Sequence, residues 1–349
     1  MKRLPLIAAV DLFCGVGGLT HGLEKSGISV GLGIDIDPAC AHPISTNTKA
    51  KFLQADIVHL DSTKISQEFL RGDVSLLAGC APCQPFSTYS QSSKRLLQKT
   101  KGHEDWRLVE RFGELVSQTL PDLVTMENVP PLTAHRSFSR LLEYLSGYQI
   151  DYRVVDCQSI GLPQSRRRLV LVASRLGPIK IPEFDLKRNT VRLAIGGLPK
   201  IEAGETNKQD RLHRASSLSS LNLARIRASK AGGTWRDWPK KLRANCHKRP
   251  TGATYPSVYG RMNWDGPSPT ITTQCFGFGN GRFGHPEQDR AISLREAAML
   301  QGFPKTYSFV PDSESVSFAK LGRLIGNAVP VTLGEIIGGL LIEHVKAHG

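Results

Sequence analysis

Apolar positions in the first half of the chain fall into short unbroken runs separated by stretches of helical spacing. Leu6–Leu12, Val30–Ile34, the segment around Phe52–Gln54, Val74–Ala78, Leu123–Met126, Tyr152–Cys157 and Leu169–Ala173 read as strands. Leu19–Ser26, closed by Gly27, and Leu108–Leu120 read as helices. Unbroken apolar runs fit strands buried on both faces, as in a parallel sheet, so the pattern points to an open α/β sheet. From Lys180 to Gly260 the periodicity disappears and Gly-Gly, Pro and Trp interrupt the chain. Beyond it, Pro269–Thr273 reads as a strand. Ser293 and Glu296 have capping-box spacing for a helix ending near Gly302, and Gly326–Pro330 leads into a helix over Val331–Lys346 whose apolar surface should return to the first domain. No internal repeat or low-complexity tract interrupts this order.

The strand ends carry the candidate chemistry, because open α/β sheets bind ligands beyond the carboxyl ends of their strands. The first strand runs into Phe13-Cys14-Gly15-Val16-Gly17-Gly18, a turn that lets a ligand approach backbone and helix N-terminus; Thr20 stands where a full dinucleotide fingerprint needs its last glycine. The second strand ends at Asp35, an acid placed to bind ribose hydroxyls, and the third ends near Asp56. Either acid alone reads as a solvated loop carboxylate; in series they read as an adenosine site.

The fourth strand drops into Gly79-Cys80-Ala81-Pro82-Cys83-Gln84-Pro85. Prolines on both sides of Cys83 restrict the backbone and present its thiol from a fixed frame. Cys80 and Cys83 have the spacing of a redox or zinc pair, but no second such pair supplies the remaining zinc ligands. The polar segment Thr88–Glu104 is long for a connection and reads as a lid or as an insertion. Glu127, at a strand end before Pro130-Pro131, is a candidate acid with a raised pKa or a helix cap. In Arg166-Arg167-Arg168, strand alternation would put Arg166 and Arg168 on one face, as an anion- or base-recognising pair or as a solvated charge run.

Charge sharpens the reading. The chain carries a net +14, and residues 180–260 hold seventeen Lys/Arg against six Asp/Glu, a net +11. That segment reads as a separate basic, loop-rich module for a phosphate backbone. At 349 residues, with 40% hydrophobic residues, the chain suggests one large or two moderate domains. No apolar run reads as a membrane span, and seven singly scattered or unframed cysteines fit a reducing compartment.

In order and spacing, DLFCGVGGLTHGLEKSG, GIDIDP, ADI, GCAPCQPFS, MENVPP, QSRRR, LREAAMLQGFP and GNAVP resemble the motifs of C5-cytosine DNA methyltransferases of the bacterial restriction–modification type. The resemblance covers most of the chain outside the basic module. It implies a Rossmann-like S-adenosylmethionine-dependent methyltransferase domain (1–188 and 318–349) plus a smaller, loop-rich, β-containing target-recognition domain with hinge (189–317), and a DNA cleft between them. By this resemblance Cys83 is the nucleophile that adds to cytosine C6, Glu127 stabilises or protonates N3, and Arg166 and Arg168 orient the base. Phe13, Gly15, Val16, Gly17, Gly18, Asp35, Ile36, Asp56, Ile57, Pro82, Leu108 and Asn327 would form the S-adenosyl-L-methionine pocket, with no metal. Asp35 and Ile36 stand where the family commonly has Glu and an aromatic residue, which preserves the carboxylate and weakens adenine stacking. Gln84, Ser87 and Gln91 would close over the flipped base, while Arg236, Arg243 and Arg261 are candidate DNA contacts in the basic module. The implied partner is double-stranded DNA, with a cognate restriction endonuclease as functional counterpart. A monomer, cytoplasmic and nucleoid-associated, without membrane contact, is expected. A transfer-RNA cytosine methyltransferase would share the chemistry; the basic module favours duplex DNA. An inactive DNA-binding relative and a nicotinamide dehydrogenase fit less well, given Cys83, Glu127 and Arg-x-Arg, and the incomplete glycine pattern.

Overall fold

The computed structural model describes residues 5–82, 107–249, 252 and 257–348. These divide into two compact units: residues 1–156, 167–185 and 329–349 form one, and 157–166 with 186–328 the other.

The first unit is built on a seven-stranded sheet in the order β3-β2-β1-β4-β5-β7-β6. The strands are β1 (Ile7–Leu12), β2 (Ser29–Asp35), β3 (Lys51–Gln54), β4 (Val74–Gly79), β5 (Leu123–Asn128), β6 (Gln149–Asp156) and β7 (Arg167–Ser174). β1 pairs in parallel with β2 and with β4, so strand order reverses beside it, and β7 runs antiparallel between β5 and β6. Every residue of β1 and of β5 is buried, which is why these segments read as unbroken apolar runs rather than alternating ones. Helices α1 (Gly18–Ser26), α2 (Ala41–Asn47), α3 (Thr63–Phe69), α4 (Arg107–Thr119) and α5 (Arg136–Tyr144) connect the strands. Gly27 ends α1 in the left-handed conformation, its N–H bonded to the Glu24 and Leu23 carbonyls, as its place in the sequence requires.

The second unit holds α6 (Val191–Ile195), α7 (Ser220–Arg227), α8 (Leu294–Leu300) and α9 (Phe318–Asn327). Its core includes Ile226, Trp235, Trp238, Val258 and Phe278, so the tryptophans of the basic segment are buried anchors. Pro269–Thr273 is not a strand. Ser268 makes an isolated bridge to Gln164, and the Gln164 side chain, not a neighbouring strand, accepts the Ile271 N–H at 3.0 Å. Pro267 and Pro269 carry no N–H for a ladder, so the β-like residue types there bond to single partners. Ser293 and Glu296 do close a capping box on α8.

The last helix, α10 (Val331–His348), belongs to the first unit. A Cβ on Gly22 would collide with the Val331 carbonyl, and one on Gly334 would reach the Leu19 carbonyl at 3.0 Å, so glycines let α1 and α10 touch backbone to backbone. By length and composition Phe318–His348 is apolar enough to cross a membrane; more than half of its most apolar window is buried inside the protein, as in a core helix, and the segment is broken between α9 and α10 at Ala328–Pro330.

Candidate active site

The carboxyl ends of β1 and β2 are tied together. After Leu12 the chain turns through Phe13 and Gly15, both with positive φ (58° and 52°), and Gly17, at φ 82°, opens α1 with no side-chain cap on its first turn. A residue such as Phe13 held in the left-handed region signals an over-determined turn of the kind found at ligand sites. Asp35 accepts the Gly15 N–H on Oδ2 and the Asp37 N–H on Oδ1, each at 2.9 Å. Burial raises the Asp35 pKa, and these backbone bonds oppose the shift. Val16 and Gly18 are buried in the turn. Around it, Ile36 is 63% exposed and Val58 47% exposed. Asp56 accepts the Val58 N–H at 2.9 Å, and its neighbour Ile57 turns inward to the core. Val58, not Ile57, is therefore the accessible apolar side chain at the end of β3. Leu108 lies half-buried against the same core, and Pro82 is exposed.

Beneath the turn lies a residue that the sequence pattern concealed. Asp11 sits inside the apolar run of β1, wholly buried, with Oδ2 accepting the Thr20 hydroxyl at 2.6 Å and Oδ1 accepting no hydrogen bond. Burial pushes its pKa up from 3.8 to about 7, the Thr20 bonds opposing and nearby Asp35 adding to the shift. A carboxylate within an otherwise apolar strand was the available signal.

A second cluster joins the ends of β4, β5 and β7. Glu127 is 3% exposed, with Arg168 Nε 2.8 Å from its Oε1. That contact is an ion pair without hydrogen-bond alignment, since Oε1 remains an unsatisfied acceptor. Cys80, just beyond β4, donates its thiol to Oε2 at 2.8 Å. Asn128 donates to the Ala81 carbonyl at 3.0 Å and accepts the Val129 N–H at 2.9 Å, pinning Ala81, just beyond β4, to the end of β5. Gly79 is required there, because a Cβ would lie 2.9 Å from the Phe112 ring. Cys83, Gln84, Ser87 and Gln91, with the segment Thr88–Glu104, lie outside the described residues. Cys14 and Cys275 are deeply buried thiols whose pKa burial raises, that of Cys275 to about 12; neither has the character of a nucleophile.

Several of the candidate arginines make internal bonds. Arg166 precedes β7 instead of alternating within it, and its guanidinium donates to the Ile271 and Ala328 carbonyls at 3.3 Å within the second unit. It braces that unit, while Arg168 meets Glu127. Arg261 is also buried, donating to the carbonyls of Ile226, Ser229, His285 and Gln288 and pairing with Asp289, so it organises the unit. Arg243 bonds the Trp238 and Arg236 carbonyls, while Arg236 is exposed; both guanidinium groups lie within 6 Å of the Trp235 ring centre, at 5.8 and 5.9 Å. Asn327 is exposed at the end of α9, in the second unit.

Residues 7–343 match the family described as C-5 cytosine-specific DNA methylase. The chain belongs to that family. It is 48% identical over 339 residues to the type II methylase M.HgiDII of Herpetosiphon aurantiacus, covering 95% of this chain and 93% of that one. It is 29% identical to the type II methyltransferase M1.HphI of Haemophilus parahaemolyticus, over 96% and 86% of the two chains. Among solved structures, a prophage-encoded DNA modification methyltransferase from E. coli superposes with a TM-score of 0.69 at 23% identity, covering 97% of this chain and 99% of that one, and so shares the fold.

As a C-5 cytosine-specific DNA methylase, this chain is a transferase that uses S-adenosylmethionine. The end of the sheet fits that donor. Nothing lies within 4 Å of where a Gly15 Cβ would be, leaving room for a ligand against the backbone. Asp35 accepts backbone N–H groups on both oxygens, and the four lone-pair sites of a carboxylate leave acceptor capacity for a ribose hydroxyl. Ile36 and Val58 offer apolar surface at the neighbouring strand ends.

Proposed function

We propose that this chain methylates C5 of a cytosine flipped out of duplex DNA, with Cys83 as nucleophile and Glu127 as the group that manages the proton at N3. The observation that carries the reading is the buried Glu127 carboxylate, held by Arg168 and Cys80, with its neighbour Asn128 bonded to Ala81, two positions before Cys83 in sequence. Cytosine C5 is a poor nucleophile. Addition of the Cys83 thiolate to C6 breaks the C5–C6 double bond and moves its electrons toward C5 and, through the ring, toward N3. Glu127 holds a proton at N3 and neutralises that charge, while the adjacent Arg168 cation keeps the carboxylate in place. The bound S-adenosylmethionine supplies an electrophilic methyl group. Loss of the C5 proton to water, with expulsion of the Cys83 thiolate from C6, restores the aromatic ring and frees the chain.

The glycine turn and Asp35 would hold the amino-acid and ribose ends of the donor, with Ile36, Val58 and Asp56 around the adenine. Phe13, Pro82, Leu108 and Asn327 complete that pocket in this reading. The second unit would recognise the target, and Gln84, Ser87 and Gln91 would close over the extruded base. Many arginines of the basic segment are internally bonded, whereas Lys240, Lys241 and Lys248 are exposed and suit phosphate contacts that give affinity without sequence information. The chain would act on DNA as a monomer in the cytoplasm, and the relatives named as type II methylases support pairing with a cognate restriction endonuclease.

A duplex carrying 5-fluorocytosine at target sites tests the reading, because fluorine cannot leave C5 as a proton does. With the donor present, the wild-type chain should become covalently attached to that duplex and Cys83→Ala should not. An adduct formed by Cys83→Ala would assign the nucleophile to another residue.

A further inference from the structure

The chemistry just described leaves the Cys80 thiol unused. Cys80 follows β4 directly, its backbone N–H bonded to the Leu12 carbonyl at 3.2 Å, and its Sγ lies 2.8 Å from Glu127 Oε2. In that contact the thiol S–H is the donor and the carboxylate oxygen the acceptor. The carboxylate's other oxygen faces Arg168 at 2.8 Å without an aligned hydrogen bond. Cys80, at the end of β4, and Arg168, on β7, are the charged or titratable side chains that contact Glu127 among the described residues. An ion pair fixes where a carboxylate sits far better than how it is rotated. The thiol supplies the one directional hydrogen bond seen on this group among the described residues.

We propose that Cys80 is a positioning residue for Glu127: its S–H engages Oε2, sets the rotation of the carboxylate, and leaves Oε1 as the oxygen that meets the cytosine ring. The inference rests on the reading of Glu127 as the group acting at N3. A donor directed at one carboxylate oxygen fixes the rotation of the group, so its loss leaves Oε1 less often aimed at the ring. Serine at this position keeps a donor; alanine removes it.

The test is the single-turnover rate of methyl transfer by wild type, Cys80→Ser, Cys80→Ala and Glu127→Gln, alongside donor binding without DNA. Cys80→Ala should lower the rate about three- to tenfold, the loss expected for one ordinary hydrogen bond. Cys80→Ser should return the rate toward wild type, and donor binding should be the same in wild type and both Cys80 variants. A merely space-filling Cys80 would change melting temperature, and serine would not rescue the rate. If Cys80→Ala does not fold, Cys80→Val, which fills the thiol's volume without a donor, is read in its place. A donorless variant as fast as wild type, or a serine variant that restores nothing, overturns the proposal. If Glu127→Gln itself leaves the rate unchanged, the underlying reading of Glu127 fails, and this inference fails with it.

Discussion

Asp35, the last residue of β2, accepts the backbone N–H of Gly15 at 2.9 Å and so locks the glycine turn after β1 to the neighbouring strand. The same carboxylate therefore shapes the turn and presents lone pairs to a ligand. Asp35→Ala should loosen both, weakening S-adenosylmethionine binding about ten- to a hundredfold, as loss of hydrogen bonds to a charged group implies. Isothermal titration on the DNA-free protein checks this; an unchanged dissociation constant would remove Asp35 from the donor site.

Arg168 and Glu127 form a buried pair, so removing the arginine strands a charge. Arg168→Ala should cost about 3 kcal/mol of stability, the lower end for breaking a buried pair because the Arg168 side chain is 14% exposed. Adding Glu127→Gln should recover most of that stability and none of the activity. Denaturant melts of the two singles and the double, alongside methylation assays, separate the stabilising role of the pair from its chemical one.

Asp11 predicts a pH dependence. Its pKa is raised from 3.8 to about 7, so the folded chain keeps a proton there that the unfolded chain has released. The sign follows from linkage: this contribution to stability is complete below about pH 4, declines as pH rises, and is gone above about pH 7. Asp11→Asn should remove that decline, leaving the donor-free protein's stability flatter than wild type from about pH 4 to 7. Parallel slopes for the two proteins in chemical denaturation across this window would contradict the assignment.

Two kinds of cation in the basic segment should behave differently. Arg261→Ala leaves several buried carbonyls without their donor and should destabilise the second unit by several kcal/mol, with weakened DNA binding as a consequence of unfolding. Replacing Lys240, Lys241 and Lys248 by alanine should leave the melting temperature unchanged. It should reduce the slope of log affinity against log salt by about 0.9 for each phosphate no longer neutralised. Binding titrations over a salt series, with thermal melts, distinguish the two outcomes.

The sequence alone determined much of the architecture, because its strongest signals are local. Buried parallel strands appear as apolar runs whatever they pair with, and the strand ends fall beside Gly15, Asp35, Glu127 and Cys80. The capping box at Ser293 and the left-handed Gly27 are legible for the same reason: their partners lie within a few residues.

What only the tertiary structure decided is which polar groups are occupied. Arg166 donates to Ala328, 162 positions away, and Arg261 to His285, 24 positions away. In sequence, a buried arginine bonded to carbonyls looks the same as an exposed one awaiting phosphate. Asp11 was hidden by the run around it, and Ile57 and Val58 differ only in the direction a helical turn gives them. Pro269–Thr273 has strand-forming residues but no strand beside it, since the prolines deny it a ladder and Gln164 takes its free amide. The hydrophobic pattern reports how deep a segment lies. The partners of each polar atom depend on chain segments far apart in sequence, and only folding brings those together.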